Sequence, residues 1–141
     1  MERPGSDQPS FVKLLQEAYA AFNARDLEAV LALMAPDVDW PDMLNHRRLV
    51  GHEAVRAYWQ HQFETINPTV EPVGLSMRPG PDLCVHVRQV VRDRADTILD
   101  DRLVEHVYTI RNGLIAAMDV YHDGQLASAP RAAAPKPELS S

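Results

Sequence analysis

The sequence predicts an α+β fold in which three helices precede a curved antiparallel sheet. Apolar residues recur about every 3.6 positions as far as Thr65, and from Pro68 onward they alternate with polar residues. This change of period separates a helical first half from a stranded second half. With 141 residues, 45% of them hydrophobic and 24% charged, the chain has the size and composition of one globular domain.

Three amphipathic segments give the expected helices. Ser10 is a candidate N-cap for a first helix over about residues 11–23, and Asp26 caps a second, short helix that Pro36 ends. A third helix is expected over about residues 51–65. All three therefore come before the main strands and are expected to pack on one face of the sheet.

The second half of the chain predicts four strands joined by turns. Pro72 places the first of these strands at an edge of the sheet or at a bulge. The pair Asn112-Gly113 is typical of a two-residue hairpin turn. The expected strands cover residues 69–77, 83–92, 102–110 and 114–122.

Both ends of the chain are expected to be disordered. Residues 1–9 are polar with Pro and Gly, and residues 127–141 are rich in Ala, Pro and Ser. Neither end buries enough apolar area to offset the cost of ordering. The predicted organisation is an N-terminal arm, one domain over residues 10–126, and a tail.

Charge and composition limit the partners and the compartment. The net charge of -6, the pI of about 5.4 and the scattered Lys and Arg argue against nucleic acid or an anionic membrane as partner. The sequence shows no apolar signal segment or membrane span, so a cytoplasmic location is expected. Cys84, the single cysteine, is expected to be a buried small hydrophobic residue, and we expect no cofactor.

A short strand expected at about residues 38–42, between the second and third helices, carries the main candidate for chemistry. In an extended chain Val38, Trp40 and Asp42 share one face. If that face looks into the core, Asp42 is a carboxyl group at the mouth of an apolar cavity, and its pKa rises toward a range useful for proton transfer. The alternative is a surface loop in which this aspartate caps a helix.

A family resemblance rests on three segments, which are residues 22–40 (FNARDLEAVLALMAPDVDW), 51–59 (GHEAVRAYW) and 106–115 (HVYTIRNGLI). They resemble the nuclear-transport-factor-2-like superfamily, in particular its SnoaL-like branch, which is similar to polyketide cyclases and ketosteroid isomerases. The resemblance implies a cone-shaped, cystatin-like fold with three N-terminal helices packed on a strongly curved antiparallel sheet around a cavity. It does not fix an activity, because the superfamily includes isomerases, cyclases, epoxide hydrolases and plain association modules.

Resemblance to the ketosteroid isomerases implies that Asp42 is a general base. The helical tyrosine of that family falls on Ala18, and Tyr19, one position further, is expected to point about 100° away. The family's protonated aspartate falls near His106, or on Glu105 in an alignment without a gap. These departures argue against a steroid isomerase.

Resemblance to the SnoaL-like cyclases implies an acid–base role for His106 and Asp119, and the hairpin decides whether the two meet. A two-residue loop at Asn112-Gly113 places His106 directly opposite Asp119. A three-residue loop sets His106 opposite Met118 and turns Asp119 to the other face. On the outer face of the sheet, the same two residues would form a structural or dimer-interface ion pair.

Aromatic residues supply candidate ligand contacts, although aromatics at helical spacing are also typical of a plain core. The residues expected to touch a flat, apolar ligand are Trp40, Tyr58, Trp59, Tyr108 and Met118. His52, His61 and His86 lack metal-binding spacing, so no metal site is expected.

Three functions remain open from the sequence. The first is a cofactor-free isomerase or cyclase on a carbonyl or polyketide-like substrate, with Asp42 as base and with His106, paired or not to Asp119, stabilising an enolate. The second is a non-catalytic ligand-binding module that forms a homodimer through its sheet. The third is an epoxide hydrolase-like enzyme using Arg88, although the sequence does not decide whether Arg88 or Gln89 faces inward.

Overall fold

The structure is a computed structural model that describes residues 10–77 and 82–131, and its architecture is the predicted α+β cone. The described residues form three helices and seven strands, and the strands belong to one sheet. The helices are α1 (Ser10–Asn23), α2 (Leu27–Ala32) and α3 (His52–Thr65). The strands are β1 (Met34–Asp42), β2 (Arg47–Val50), β3 (Ile66–Met77), β4 (Asp82–Asp93), β5 (Ile98–Arg111), β6 (Leu114–His122) and β7 (Gln125–Leu126).

The sheet is mixed, because one of its pairings is parallel. The strand order is β2-β1-β6-β5-β4-β3, and β7 pairs with β6 off this path. Strands β1 and β6 run parallel and pair Met34 with Ile115 and Asp39 with Ala117. The sequence analysis predicted a wholly antiparallel sheet, and this was wrong for β1. Strand β1 follows α2 and is not joined to β6 by a hairpin. No tight turn therefore forces these two strands to run antiparallel.

The first helices form where the apolar spacing predicts them. Leu15, Ala18, Tyr19 and Phe22 lie on one face of α1, against the core. Helix α2 begins after its N-cap Asp26, whose carboxylate accepts a hydrogen bond of 3.2 Å from the amide three residues later. Within residues 10–77 and 82–131, every helix is too short or too polar to span a lipid bilayer.

The hairpin between β5 and β6 combines the predicted turn with a bulge. Both residues of the Asn112-Gly113 turn have positive φ angles, 55° and 77°, as a two-residue type I′ loop requires. The register then shifts by one, because Ala116 is an extra residue on β6. Beyond the bulge, His106 pairs with Val120 and not with Asp119.

Further irregularities bend the sheet at its other edge. Pro72 lies on the edge strand β3, and the register shifts between Pro72 and Gly74, so both the edge position and the bulge predicted for this proline are present. A second shift occurs between Val91 and Arg92, where β4 pairs with β5. Bulges increase the local twist and bend a strand, and here they curl the sheet around the helices.

The segment after β7 packs against the sheet. The amides of Ala127 and Ser128 donate to the Val120 carbonyl oxygen (2.7 and 3.2 Å), and the Val120 amide donates to Ser128 Oγ (3.0 Å). Residues 127–131 of the expected tail are therefore in contact with the domain. The rest of that tail, residues 132–141, and the expected arm, residues 1–9, lie outside the described residues.

Candidate functional site

The cone encloses a mostly apolar cavity of about 270 Å³ between the helices and the concave face of the sheet. This volume lies just below the range of about 300–1,000 Å³ that is usual for small-molecule sites. The cavity lining includes all five side chains that were expected to touch a ligand, namely Trp40, Tyr58, Trp59, Tyr108 and Met118.

Aromatic rings make one wall of the cavity. Trp59 packs edge to face against Trp40 and against Phe22, with ring centroids 5.5 Å apart in both pairs. This arrangement is preferred by the ring quadrupoles. At the mouth, the Met43 amide donates to the Tyr58 hydroxyl (3.2 Å), which ties the loop after β1 to α3. The wall is thus held in place by contacts that do not need a ligand.

Three polar side chains form a hydrogen-bonded chain inside this apolar cavity. The Tyr108 hydroxyl donates to the Tyr19 hydroxyl (2.8 Å), and Tyr19 Oη lies 2.8 Å from His106 Nδ1. All three residues are buried and line the cavity. No hydrogen bond to His106 Nε2 occurs within the part of the chain that the structure describes.

Burial keeps the side chains of Tyr108, Tyr19 and His106 uncharged at neutral pH. Burial lowers the pKa of His106 from 6.5 to about 4, so the imidazole is neutral. Burial raises the pKa of Tyr108 well above that of an ordinary phenol. Burial, followed by the neighbouring Tyr108, likewise raises the pKa of Tyr19. The chain therefore offers neutral hydroxyl and imidazole groups to whatever enters the cavity.

Asp42 has surroundings different from those predicted. Its residue is only 1% exposed, but it is not part of the cavity lining. Burial acts to raise the pKa of its carboxyl group, but hydrogen bonds from Asn45, Arg47 and the Leu44 amide outweigh burial and lower the pKa. The prediction of a raised pKa was therefore wrong. The alternative of a helix cap in a surface loop is wrong as well, because Asp42 is buried and its carboxylate accepts from the amides of Leu44 and Asn45 between β1 and β2.

The loop after β1 explains this outcome. Asp42 pairs with Arg47 across the turn from β1 to β2, and Arg47 Nε donates to Oδ2 at 2.8 Å. The amides of Leu44 and Asn45 both donate to Oδ1 at 3.0 Å, and Asn45 Nδ2 donates to Oδ2 at 3.0 Å. These donors hold the carboxylate in its charged form, and the carboxylate lies outside the cavity lining.

Asp119 lies on the outer face of the sheet, opposite to the face that carries His106. Of the two outcomes left open, the one with Asp119 on the other face is present. Its cause is the bulge at Ala116, which shifts the register beyond the two-residue turn, and not a three-residue loop. Arg131 Nη2 lies 2.6 Å from Asp119 Oδ2, and Arg48 Nη1 lies 3.1 Å from Oδ1. Of the three predicted catalytic residues, only His106 lines the cavity.

Tyr19 is the site residue that the sequence analysis missed. It was expected to point away from the cavity, but it lines the cavity and contacts both Tyr108 and His106. The signal was present in the sequence, because Tyr19 lies four residues after Leu15 and three before Phe22. These positions share one helical face with Ala18, so a face wide enough for both residues 18 and 19 is the correct interpretation.

Strand β4 divides its polar residues between the two faces of the sheet. Gln89 lines the cavity, as does Gln62 from α3. Arg88 lies on the outer face, where its Nη2 is 2.7 Å from Asp101 Oδ2 in an exposed ion pair. The arginine considered for an epoxide hydrolase-like site is therefore outside the cavity. No Asp or Glu among the described residues lines the cavity either.

Comparisons with known proteins agree with this fold. The sequence profile of the SnoaL-like domain matches residues 15–118. A comparison with curated proteins gave no match. An NTF2-like protein of unknown function from Burkholderia pseudomallei is 25% identical, with a TM-score of 0.71 over 83% of this chain and 93% of that chain.

Two further solved structures share the fold at lower identity. A putative polyketide cyclase from Xanthomonas campestris pv. campestris is 19% identical, with a TM-score of 0.67 over 81% of this chain and 90% of that chain. A protein from Mycobacterium tuberculosis, crystallised in complex with estradiol-17beta-hemisuccinate, is 20% identical, with a TM-score of 0.70 over 82% of this chain and 95% of that chain.

Proposed function

Since this chain belongs to the SnoaL-like domain family, we propose that its cone binds a small, largely apolar molecule that carries a carbonyl or hydroxyl oxygen. The observation behind this proposal is the chain of hydrogen bonds from Tyr108 through Tyr19 to His106 in an otherwise apolar cavity. The three groups carry three N–H or O–H hydrogens but share only two hydrogen bonds. One donor is left for an oxygen atom of a ligand.

The ligand is neutral in the part that enters the cavity. No Asp, Glu, Lys or Arg side chain among the described residues lines the cavity, and burying an unpaired charge is expensive. A polar end of the ligand finds hydrogen-bond partners in Gln62 and Gln89. It also reaches water near Met43 and Leu44, which line the cavity and are exposed. A steroid derivative bound to a relative of the same fold supports a ligand of this shape class.

The hydrogen-bonded chain is also suited to acid–base chemistry without a cofactor. In one tautomer, His106 donates from Nδ1 to Tyr19 and holds a lone pair on Nε2. Nε2 accepts a proton from the carbon beside the ligand's carbonyl group, Nδ1 passes its proton to Tyr19, and Tyr19 passes its own to the carbonyl oxygen. The ligand becomes an enol, and His106 ends in its other tautomer. A keto–enol isomerisation, or a cyclisation that starts from an enol, requires this step.

This relay suits a histidine whose pKa burial lowers to about 4, because the ring gains one proton as it loses another. No buried positive charge accumulates. Asp42, the base implied by the isomerase resemblance, is the weaker candidate because its carboxylate already accepts four hydrogen bonds from the loop. We therefore assign the proton transfer to His106 with Tyr19.

Intrinsic fluorescence gives a direct test of binding, because both tryptophans of the protein, Trp40 and Trp59, line the cavity. A planar aromatic ketone and a hydrocarbon of the same shape are titrated against the wild type. We expect the wild type to bind the ketone about tenfold more tightly than the hydrocarbon, because only the ketone accepts a hydrogen bond from the spare donor. Equal affinity of the wild type for both compounds would contradict the proposal.

Proton transfer is tested by the exchange of deuterium from heavy water into the carbon beside the carbonyl of the bound ketone, followed by NMR. We expect His106→Gln to slow the exchange at least about 100-fold, and Asp42→Asn to leave it within a factor of about three. If Asp42→Asn abolishes the exchange and His106→Gln does not, the base is Asp42. Binding without any exchange in the wild type would leave a ligand-binding module.

A separate observation supports the formation of a homodimer. On the outer face of the sheet, β5 exposes the large apolar side chains of Ile98 and Leu103, which pair with Arg92 and Arg88 of β4. Exposed apolar groups favour a protein–protein contact, and we propose a homodimer through this face. Light scattering tests this directly. A dimer that Leu103→Glu converts to a monomer supports the proposal, and a monomeric wild type contradicts it.

A further inference from the structure

The outer face of the sheet carries a cluster of metal-binding side chains that the proposed function does not use. Cys84, His86 and Glu105 each offer one ligand atom, and these atoms all lie within 4.8 Å of one another. Sulfur, nitrogen and oxygen donors of this kind suit a borderline-soft transition metal. We propose that this cluster binds one zinc-class divalent ion.

The strands bring the three residues together. Cys84 and His86 are two positions apart on β4, so their side chains share one face. Glu105 on β5 is the direct cross-strand partner of His86. Since Val85 and His106 face the core, the cluster lies on the opposite side of the sheet from the cavity. A metal here would not touch a ligand in the cone.

The His86 ring is already oriented for this role. Ser76 Oγ lies 2.8 Å from Nε2, and Nδ1 lies 3.7 Å from Glu105 Oε2. When Nε2 carries the hydrogen and donates to Ser76, the lone pair of Nδ1 faces a carboxylate oxygen. In this tautomer, a cation between Nδ1 and the carboxylate oxygen satisfies both acceptors. A hydrogen bond from the far nitrogen to a fixed partner is the usual support of a metal-binding histidine.

The spacing permits tetrahedral coordination after a small adjustment. Zinc bonds of about 2.0–2.3 Å place donor atoms about 3.3–3.8 Å apart, so each pair in the cluster has to close by at most about 1.5 Å. The side chains of His86 and Glu105 are 39% and 31% exposed and are free to make this movement. With a thiolate and a carboxylate, the site neutralises a divalent charge, and water supplies the fourth ligand.

Sequence reasoning excluded this site because its ligands are not close in the sequence. His86 was judged by its spacing to other histidines, and Cys84 was interpreted as a hydrophobic residue. Glu105 joins them only through the pairing of β4 with β5, 19 residues further along the chain. Sheet register, rather than a linear motif, creates the cluster.

Cobalt titration tests the site in the full-length chain, freed of any affinity tag and treated with a chelator. We expect one Co²⁺ per chain and a near-ultraviolet thiolate-to-cobalt absorption band, and we expect zinc to displace the cobalt. Cys84→Ser should abolish the band, and His86→Gln should weaken binding at least tenfold. His61→Gln is the matched control, because the exposed His61 also lies 3.7 Å from a carboxylate, Glu64, but has no thiol beside it.

Two further variants separate coordination from structural damage. Ser76→Ala should weaken cobalt binding by about 10–100-fold with the band unchanged in shape, because it removes only the support of His86. Glu105→Gln should retain the band at reduced affinity. Circular dichroism and the fluorescence response to the cavity ligand check that each variant is folded. A wild type without the band, or binding that Cys84→Ser and His86→Gln leave unchanged, would overturn the proposal.

Discussion

His106 is a single buried imidazole that makes the stability of the protein depend on pH. Burial lowers its pKa from 6.5 to about 4 in the folded state, whereas the unfolded chain keeps an ordinary histidine. Between these two values the unfolded state binds a proton that the folded state does not bind. The free energy of unfolding therefore falls as the pH falls through this window, and it is unaffected above it.

We expect the free energy of unfolding to drop by about 3 kcal/mol between about pH 6.5 and pH 4 because of His106 alone, since each pKa unit corresponds to about 1.4 kcal/mol. Urea unfolding at a series of pH values measures this drop. His106→Gln should remove it, and the exposed His61→Gln should retain it. An equal slope in His106→Gln would contradict the assignment. Asp42, whose pKa is lowered from 3.8, acts only below this window.

At the same scale, the sequence predicted positions better than surroundings. Val38, Trp40 and Asp42 are all buried. However, Pro41 from the other predicted face is buried too and lines the cavity, whereas Asp42 does not. The pKa of Asp42 was not predictable from its position on the strand, because its hydrogen-bond donors come from the following loop and depend on how that loop folds. Tyr19 was misplaced because alignment to a family position replaced the helical spacing that the chain itself shows.

Among the secondary structure elements, the hairpin between β5 and β6 shows where prediction stops. Its turn was predictable, because Asn112-Gly113 is one of the few sequences that tolerate two positive φ angles. The bulge at Ala116 was not, because a bulge depends on the curvature that the whole sheet needs and has no local signature. The bulge decides that Asp119 faces outward.

Arg48 joins several elements outside the cavity. Its side chain is 5% exposed and lies on β2, with Nε 2.8 Å from Asp39 Oδ1 on β1 and Nη1 3.1 Å from Asp119 Oδ1 on β6. It also donates to the Ala129 carbonyl oxygen (3.3 Å) after β7. The guanidinium is thus the common partner of two largely buried carboxylates and of the last described segment.

We expect Arg48→Met to lower the free energy of unfolding by about 3 kcal/mol, because removing one partner leaves Asp39 without its cation in a poorly solvated place. The shift of the urea midpoint at neutral pH measures this loss. Arg88→Met is the matched control, since the Arg88 side chain is 52% exposed in its pair with Asp101 and its loss should cost far less stability. Equal effects of the two variants would show that burial of the pair is unimportant.

For the whole molecule, the cone was predictable and its contents were only partly so. The switch from helical to strand periodicity and three family-like segments were enough for the α+β architecture. The cavity-lining positions of Trp40 and Trp59 followed from alternation and helical spacing. The hydrogen bonds between Tyr108, Tyr19 and His106 join α1 to β5. Tyr19 and His106 are 87 residues apart in the sequence, and only folding brings them together.

The segment after β7 gives a prediction for the domain boundary. A chain that ends at Leu126 loses three hydrogen bonds between residues 127–128 and Val120, together with the contact of Arg131 with Asp119. We expect it to be less stable than a chain that ends at Arg131 by about 2–4 kcal/mol. Thermal and urea unfolding of the two chains make the comparison. Equal stability would place the boundary at residue 126, as the composition predicted.

The extra residue at position 116 also bears on how homologous chains are compared. A homologue that is one amino acid shorter here would keep every pair on both sides of the deletion, because the inserted residue has no partner. A gap at this position in a sequence alignment would therefore mark a difference in the curvature of the sheet, while the residues that line the cavity would stay the same. An alignment that counts residues from the Asn112-Gly113 turn would match every residue after position 116 to the wrong residue of such a homologue. Homologues should therefore be aligned from the strand pairs beyond the bulge, which begin with Thr109 and Ala117.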